Sequence, residues 1–190
     1  LVHDHPLACV VGMTADGLVA NHLPLFLTPR RVLVGHVAAK NDMHRVMADG
    51  QEVLAVFRGG EAYVSPNRYP SKAVNHRSVP TWNYQVVHVH GRIDFDHDDH
   101  AKRAAVALLT RDHERRANGA AAWKMADAPA DYMDGMLAGI VAFRITPERV
   151  LAKSKLSQNR DDADHAGVVA DFEARGQTEL AARMRKNREG

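Results

Sequence analysis

One cysteine in 190 residues, Cys9, leaves no intramolecular disulfide and no cysteine-based zinc cluster to consider. Set in the apolar run Leu7-Ala8-Cys9-Val10-Val11, it reads as a buried small hydrophobe rather than a nucleophile. No stretch approaches the roughly 20 apolar residues that span a bilayer. No signal peptide is evident, so the expected compartment is the cytoplasm, with no membrane partner. Neither sign of charge dominates: 25 Lys and Arg face 23 Asp and Glu, a net +2. That balance permits nucleic-acid contact without arguing for it, because counterion release needs clustered cations. The P-loop, the dinucleotide fingerprint, the Gly-x-Ser-x-Gly elbow and His-Glu-x-x-His are all missing. Gly59-Gly60 alone reads as a loop. These absences argue against the familiar nucleotide cradles, serine hydrolases and zinc proteases.

What is present describes one globular domain over 1–190, with 45% hydrophobic residues, enough for a sizeable core. The first half reads mostly as short strands: Leu7 to Met13, ending at the hairpin signal Asp16-Gly17, then Leu18 to Leu27, interrupted by Pro24, and Arg31 to Val37. A short helix fits Lys40 to Met47, and Gln51 to Phe57 returns to strand. An irregular stretch from Arg58 to Ser78 precedes the longest strand signal, Tyr84 to Phe95. Asp98 to Ala117 reads as an amphipathic helix capped by Asp98 or Asp99, with Ala101, Ala105, Leu108, Leu109 and His113 near one face. Ala138 to Ile145 and Arg149 to Lys153 read as a hairpin around Pro147-Glu148. A C-terminal helical segment, about 161–190, holds two helices hinged at Arg175-Gly176-Gln177. Six or seven strands with few crossover helices favour an antiparallel barrel over a doubly wound sheet.

Four constellations could carry chemistry. His88 and His90 share a strand face, with His97, His100 and four aspartates just beyond; the plainer reading is a polar strand edge and a capping turn, so no metal site is assigned. Gly35-His36-Val37-Ala38-Ala39-Lys40-Asn41 runs from a strand into a helix start, where free N–H groups favour an anion, and His36, Lys40 and Asn41 add donors. A simple corner with Asn41 or Asp42 as cap explains the same residues. Lys153-Ser154-Lys155-Leu156-Ser157-Gln158-Asn159-Arg160 could meet a phosphate, a partner subunit or DNA, against the default of a solvated loop. Most distinctive is Val79-Pro80-Thr81-Trp82-Asn83-Tyr84, close after Ser65-Pro66-Asn67-Arg68-Tyr69-Pro70-Ser71-Lys72. Flat apolar faces beside short polar donors suit a planar ligand carrying an anion, or a dimer seam.

In order along the chain, Asn21-His22-Leu23-Pro24-Leu25, Gly35-His36-Val37-Ala38, Tyr63-Val64-Ser65-Pro66, Val79 to Tyr84, Asp127-Ala128-Pro129-Ala130-Asp131-Tyr132 and Lys155 to Arg160 resemble the PaiB-type FMN-binding negative transcriptional regulators. The resemblance implies an α+β, mainly β protein: a six- to seven-stranded antiparallel split β-barrel with peripheral helices, forming a homodimer. It implies FMN at the subunit interface, held by His36, Lys40 and Asn41 from one chain. Thr81, Trp82, Asn83 and Tyr84 would come from the other, with Ser71 and Lys72 nearby. It names promoter DNA as a further partner and no catalytic residue. The alternative is an FMN-dependent oxidoreductase or a haem-binding, haem-degrading enzyme on the same barrel. The chain departs from the family pattern at Arg68, where Trp is usual, and at Ala39-Lys40-Asn41, where Arg-Ala-Asn is common. Lysine keeps the charge there without the bidentate fork.

Overall fold

Seven strands make up the sheet of the computed structural model, which describes residues 1–189. They are β1 (Leu7–Thr14), β2 (Gly17–Pro24), β3 (Phe26–Leu27), β4 (Leu33–Ala38), β5 (Gln51–Val64), β6 (Thr81–Asp96) and β7 (Ile140–Lys155). Among the described residues six α-helices accompany them: α1 (Met43–Val46), α2 (Lys72–Asn75), α3 (Asp99–Asn118), α4 (Ala130–Ala138), α5 (Asp162–Ala174) and α6 (Thr178–Glu189). The sheet order is β2-β1-β5-β6-β7-β4-β3. The class is the one expected: mainly β, antiparallel, of the split-barrel type, with peripheral helices. The Asp16-Gly17 signal closes β1 onto β2 with Thr14 opposite Gly17, whose φ of 108° only glycine adopts freely.

The chain packs as two compact units. One comprises Val2–Phe57 and His88–Leu151, the other Leu1, Arg58–Val87 and the residues from Ala152 onward; β5, β6 and β7 contribute to both. The first unit buries Val10, Leu33, Phe57, Ile93, Phe143 and Ile145 almost completely. The second closes α5 and α6 over Ala62, Val64, Tyr69 and Leu156, burying Val168, Phe172, Leu180 and Met184. Asp161 caps α5 by accepting from Asp164 N at 2.8 Å, and Gly176 (φ 75°) turns the chain into α6, the expected hinge.

Several sequence expectations are corrected. Arg58–Val64 is not irregular, because β5 runs through Gly59-Gly60. A Cβ on Gly59 would lie 3.1 Å from Leu1 and 3.3 Å from Gln85, so the glycine serves close approach rather than a turn. Pro147-Glu148 is not a hairpin turn. β7 continues through it, and Arg92 Nε bonds Glu148 Oε1 at 3.1 Å. Helix α1 is a single turn, not Lys40 to Met47. Helix α4, which was not foreseen, starts directly after Pro129, a residue whose fixed φ suits a helix start. On α3 the buried face is Lys102, Ala105, Leu109 and Asp112, because ion pairs to Asp99 and Arg116 let charged residues sit there while Leu108 turns partly outward. Cys9 is half-buried: strand alternation points Ala8 and Val10 into the core and Cys9 away from it.

Candidate functional site

Each compact unit places some of the candidate residues. In the Arg58–Val87 and Ala152 unit, β6 splits its own motif by alternation. Thr81 and Asn83 face a cavity of about 250 Å³. Trp82 points outward, 53% exposed, and meets Tyr63 edge-on with ring centroids 6.0 Å apart. The Tyr84 ring lies under the Lys153 ammonium at 5.8 Å. Ser71 is engaged elsewhere, its N and Oγ donating to the Asp164 carboxylate at 3.0 and 2.7 Å. Lys72 Nζ donates to Asn67 Oδ1. Arg68 makes local sense of its departure from the family tryptophan, since its Nε pairs at 2.8 Å with the buried Asp171 carboxylate, which Arg175 also holds.

The remaining lining of that cavity comes from Tyr69, Val79, Pro80, Lys155, Ser157, Asn159 and Arg160. The segment expected to be a solvated loop is partly core: Leu156 is 1% and Ser157 5% exposed. Gln158 holds the turn together, accepting from Leu156 N and donating to Ser154 O, each at 2.7 Å. Ser157 adopts a left-handed φ of 59°, unusual for a residue with a Cβ, and its Oγ donates to Asn83 Oδ1 at 3.0 Å. The fully buried Asn83 amide donates in turn to Met184 Sδ at 3.5 Å. Asn83 is therefore a strut that ties strand, turn and helix together, while Thr81 lines the cavity half-buried. Lys155, Ser157, Asn159 and Arg160 were flagged by their clustered charge and polarity, but spacing alone could not bring them to Thr81.

In the Val2–Phe57 and His88–Leu151 unit, Asn41 is fully occupied as a cap and brace: Oδ1 accepts from Met43 N and Nδ2 donates to Asn21 Oδ1, both at 2.8 Å. The corner reading thus accounts for Asn41, and a one-turn α1 offers little helix dipole to an anion. Arg45 pairs with Asp42. Lys40 is exposed on this corner and carries no ion pair among the described residues. His36 lines a separate cavity of about 290 Å³ with Val106, Trp123, Tyr132, Met133 and Ile140, and its Nδ1 is buried without a partner. Among the described residues no group of three or more His, Cys, Asp or Glu converges as a metal site. A groove of about 700 Å³ along α3, lined by Ala104, Ala107, Leu108, Trp123 and Met125, is mostly apolar and has cations only at its lining Arg111, Arg115 and Lys124.

Burial holds the His36 imidazole below its ordinary value of 6.5. It does the same to His165, where the Arg188 charge adds to the effect. Protonation therefore favours the unfolded chain. The stability tied to these neutral imidazoles is complete above 6.5 and is lost as pH falls below it. The thermal midpoint should drop between about pH 7.5 and 5.5, a range above most carboxylate titration. His36→Gln should remove part of the drop; an equal drop in the variant would contradict the assignment.

Residues 1–149 match the family described as "Putative FMN-binding domain". Over 171 residues the chain is 30% identical to the protease synthase and sporulation protein PAI 2 of Bacillus subtilis, covering 88% of this chain and 79% of that protein. The chain belongs to this FMN-binding family, as the PaiB-type resemblance implied. Among solved structures it is similar to the FAD and heme binding protein of Mycobacterium smegmatis (TM-score 0.59, 19% identity, 81% of this chain and 67% of that one). The flavocytochrome Anf3 of Azotobacter vinelandii is a second neighbour (TM-score 0.53, 15% identity, 85% and 67% covered). At these identities the two neighbours speak for the fold alone. No helix among the described residues is long and apolar enough to cross a membrane.

Proposed function

We propose that the chain binds FMN as a homodimer and acts as a negative transcriptional regulator. The observation that carries this reading is the family match over residues 1–149, which takes in His36, Lys40, Asn41, Ser71, Lys72 and Thr81 to Tyr84. The residues present fit the cofactor. Lys40 offers an unpaired ammonium for the phosphate, and the orphaned His36 Nδ1 offers a polar contact in an aromatic-lined cavity. Because burial keeps His36 neutral, it contributes a hydrogen bond and Lys40 the charge. The exposed Tyr63–Trp82 pair favours a subunit seam, since aromatic anchors are enriched in such surfaces. Bound FMN would supply two-electron redox chemistry. An enzymatic role needs a positioned acid or base at a reacting atom, and we assign none.

The regulatory half of the reading leans on the relative whose name concerns sporulation. The C-terminal helices give it no direct support, because their apolar faces are buried and Arg185 and Arg188 pair with Glu173 and Asp162. Flavin fluorescence titration tests the cofactor. FMN should bind more tightly than riboflavin, and Lys40→Ala should weaken FMN by about tenfold while leaving riboflavin unchanged. Equal binding of FMN by the variant would remove Lys40 from the site.

A further inference from the structure

The geometry points to a phosphate-monoester site in the cavity between the start of β6 and the Leu156–Arg160 turn, built from Lys155, Arg160, Tyr69 and Thr81. Its two cations, Lys155 and Arg160, lie beyond residue 149, where the family match ends, while Tyr69 and Thr81 lie within it.

Two cations face one small cavity with no carboxylate paired to either among the described residues. Both are half-buried. The Lys155 ammonium donates only to the neutral Thr81 hydroxyl, and the Arg160 guanidinium stacks 4.3 Å from the centroid of the Tyr69 ring. Like charges gathered in a partly desolvated pocket repel, and a bound anion reverses the sign of that interaction. The carboxylates of the same unit do not fill this role. Asp164 holds Ser71, Asp171 holds Arg68 and Arg175, and Asp162 holds Arg188.

Two further observations point to a ligand. The Tyr69 hydroxyl is buried without any partner on a residue only 2% exposed, a donor that costs stability until an acceptor arrives. Ser157 is held in a left-handed conformation by its bond to Asn83, which carries the chain around so that both Lys155 and Arg160 reach the same space. Lys155, Arg160, Tyr69, Thr81 and Asn159 offer several donors to one anion, which suits the three terminal oxygens of a phosphate monoester better than a planar carboxylate. Val79 and Pro80 supply an apolar wall, and about 250 Å³ leaves room for an organic group beyond the phosphate.

The phosphate can belong to the flavin or to another phosphorylated small molecule, and one set of titrations separates the two. Inorganic phosphate, compared with chloride at equal ionic strength, should raise the thermal midpoint of the intact chain. Lys155→Met and Arg160→Gln should each weaken apparent phosphate affinity by roughly 10- to 100-fold. Lys155→Arg should retain it, which distinguishes lost charge from lost fold. If inorganic phosphate competes with FMN and Lys155→Met also weakens FMN, the site takes the flavin's phosphate. If FMN binding is indifferent to both, the site takes a second phosphorylated ligand. No protection of the wild type by phosphate over chloride, or equal protection of Lys155→Met, overturns the site. Failure of the FMN reading shows separately, as absent FMN binding by the wild type with phosphate protection intact.

Discussion

Gly167→Ala should destabilise the protein, while the same exchange at Gly135 should stabilise it. Helix propensity alone favours alanine at both positions by about 1 kcal/mol. At Gly135 in α4 nothing lies within 4 Å of the added Cβ, so the propensity gain stands. At Gly167 in α5 the Cβ would come within 2.1 Å of the Arg68 carbonyl oxygen and 3.4 Å of Pro70 Cδ. The obstacle is backbone, which cannot rotate aside as a side chain would. Overpacking of this kind costs about 1–3 kcal/mol, enough to cancel the gain and reverse its sign. Urea unfolding of the two variants beside the wild type should give midpoints that move in opposite directions. A rise for both would mean that α5 does not seat against the Arg68 turn as described.

Phe172→Ala should have the largest effect on stability of any substitution considered. The ring is fully buried among Val64, Leu156, Val168 and Met184, and the Arg175 guanidinium lies 5.0 Å from its centroid. Truncating a buried phenylalanine costs about 3–5 kcal/mol, against a total of about 5–15 kcal/mol for ordinary domains. The two tryptophans allow the loss to be located, since Trp82 belongs to the unit that holds Phe172 and Trp123 to the other. In a Trp123→Phe background, fluorescence reports from Trp82 alone, and its transition should shift to markedly lower urea. A change below about 1 kcal/mol, typical of a surface site, would mean that α5 and α6 are a detachable arm. That outcome would reopen a DNA-reading role for them, which their buried apolar faces now disfavour.

Strand periodicity and turn chemistry were legible wherever they were local. Asp16-Gly17 marked its hairpin, Asp98 its cap and Gly176 its hinge, because each acts through its own φ or its own hydrogen bond. The errors came where a residue serves a distant neighbour. Gly59-Gly60 read as a loop because nothing nearby announces Leu1, Gln85 or Leu180 packing against it. Pro147 read as a turn because the proline signal usually outweighs a continuing strand. The Lys155–Arg160 segment read as solvated, since only the fold brings Asn83 and Met184 to bury its centre. The residues of the Val-Pro-Thr-Trp-Asn-Tyr motif, expected to act as a group, are separated by alternation, which sends Thr81 and Asn83 one way and Trp82 and Tyr84 the other.

Sedimentation of the purified chain with equimolar FMN, followed at the flavin's visible absorbance band, tests the central claim most directly. The expected result is flavin travelling with a species of twice the 21.0 kDa chain mass, one FMN per chain. Flavin left behind at the rate of the free small molecule would contradict it.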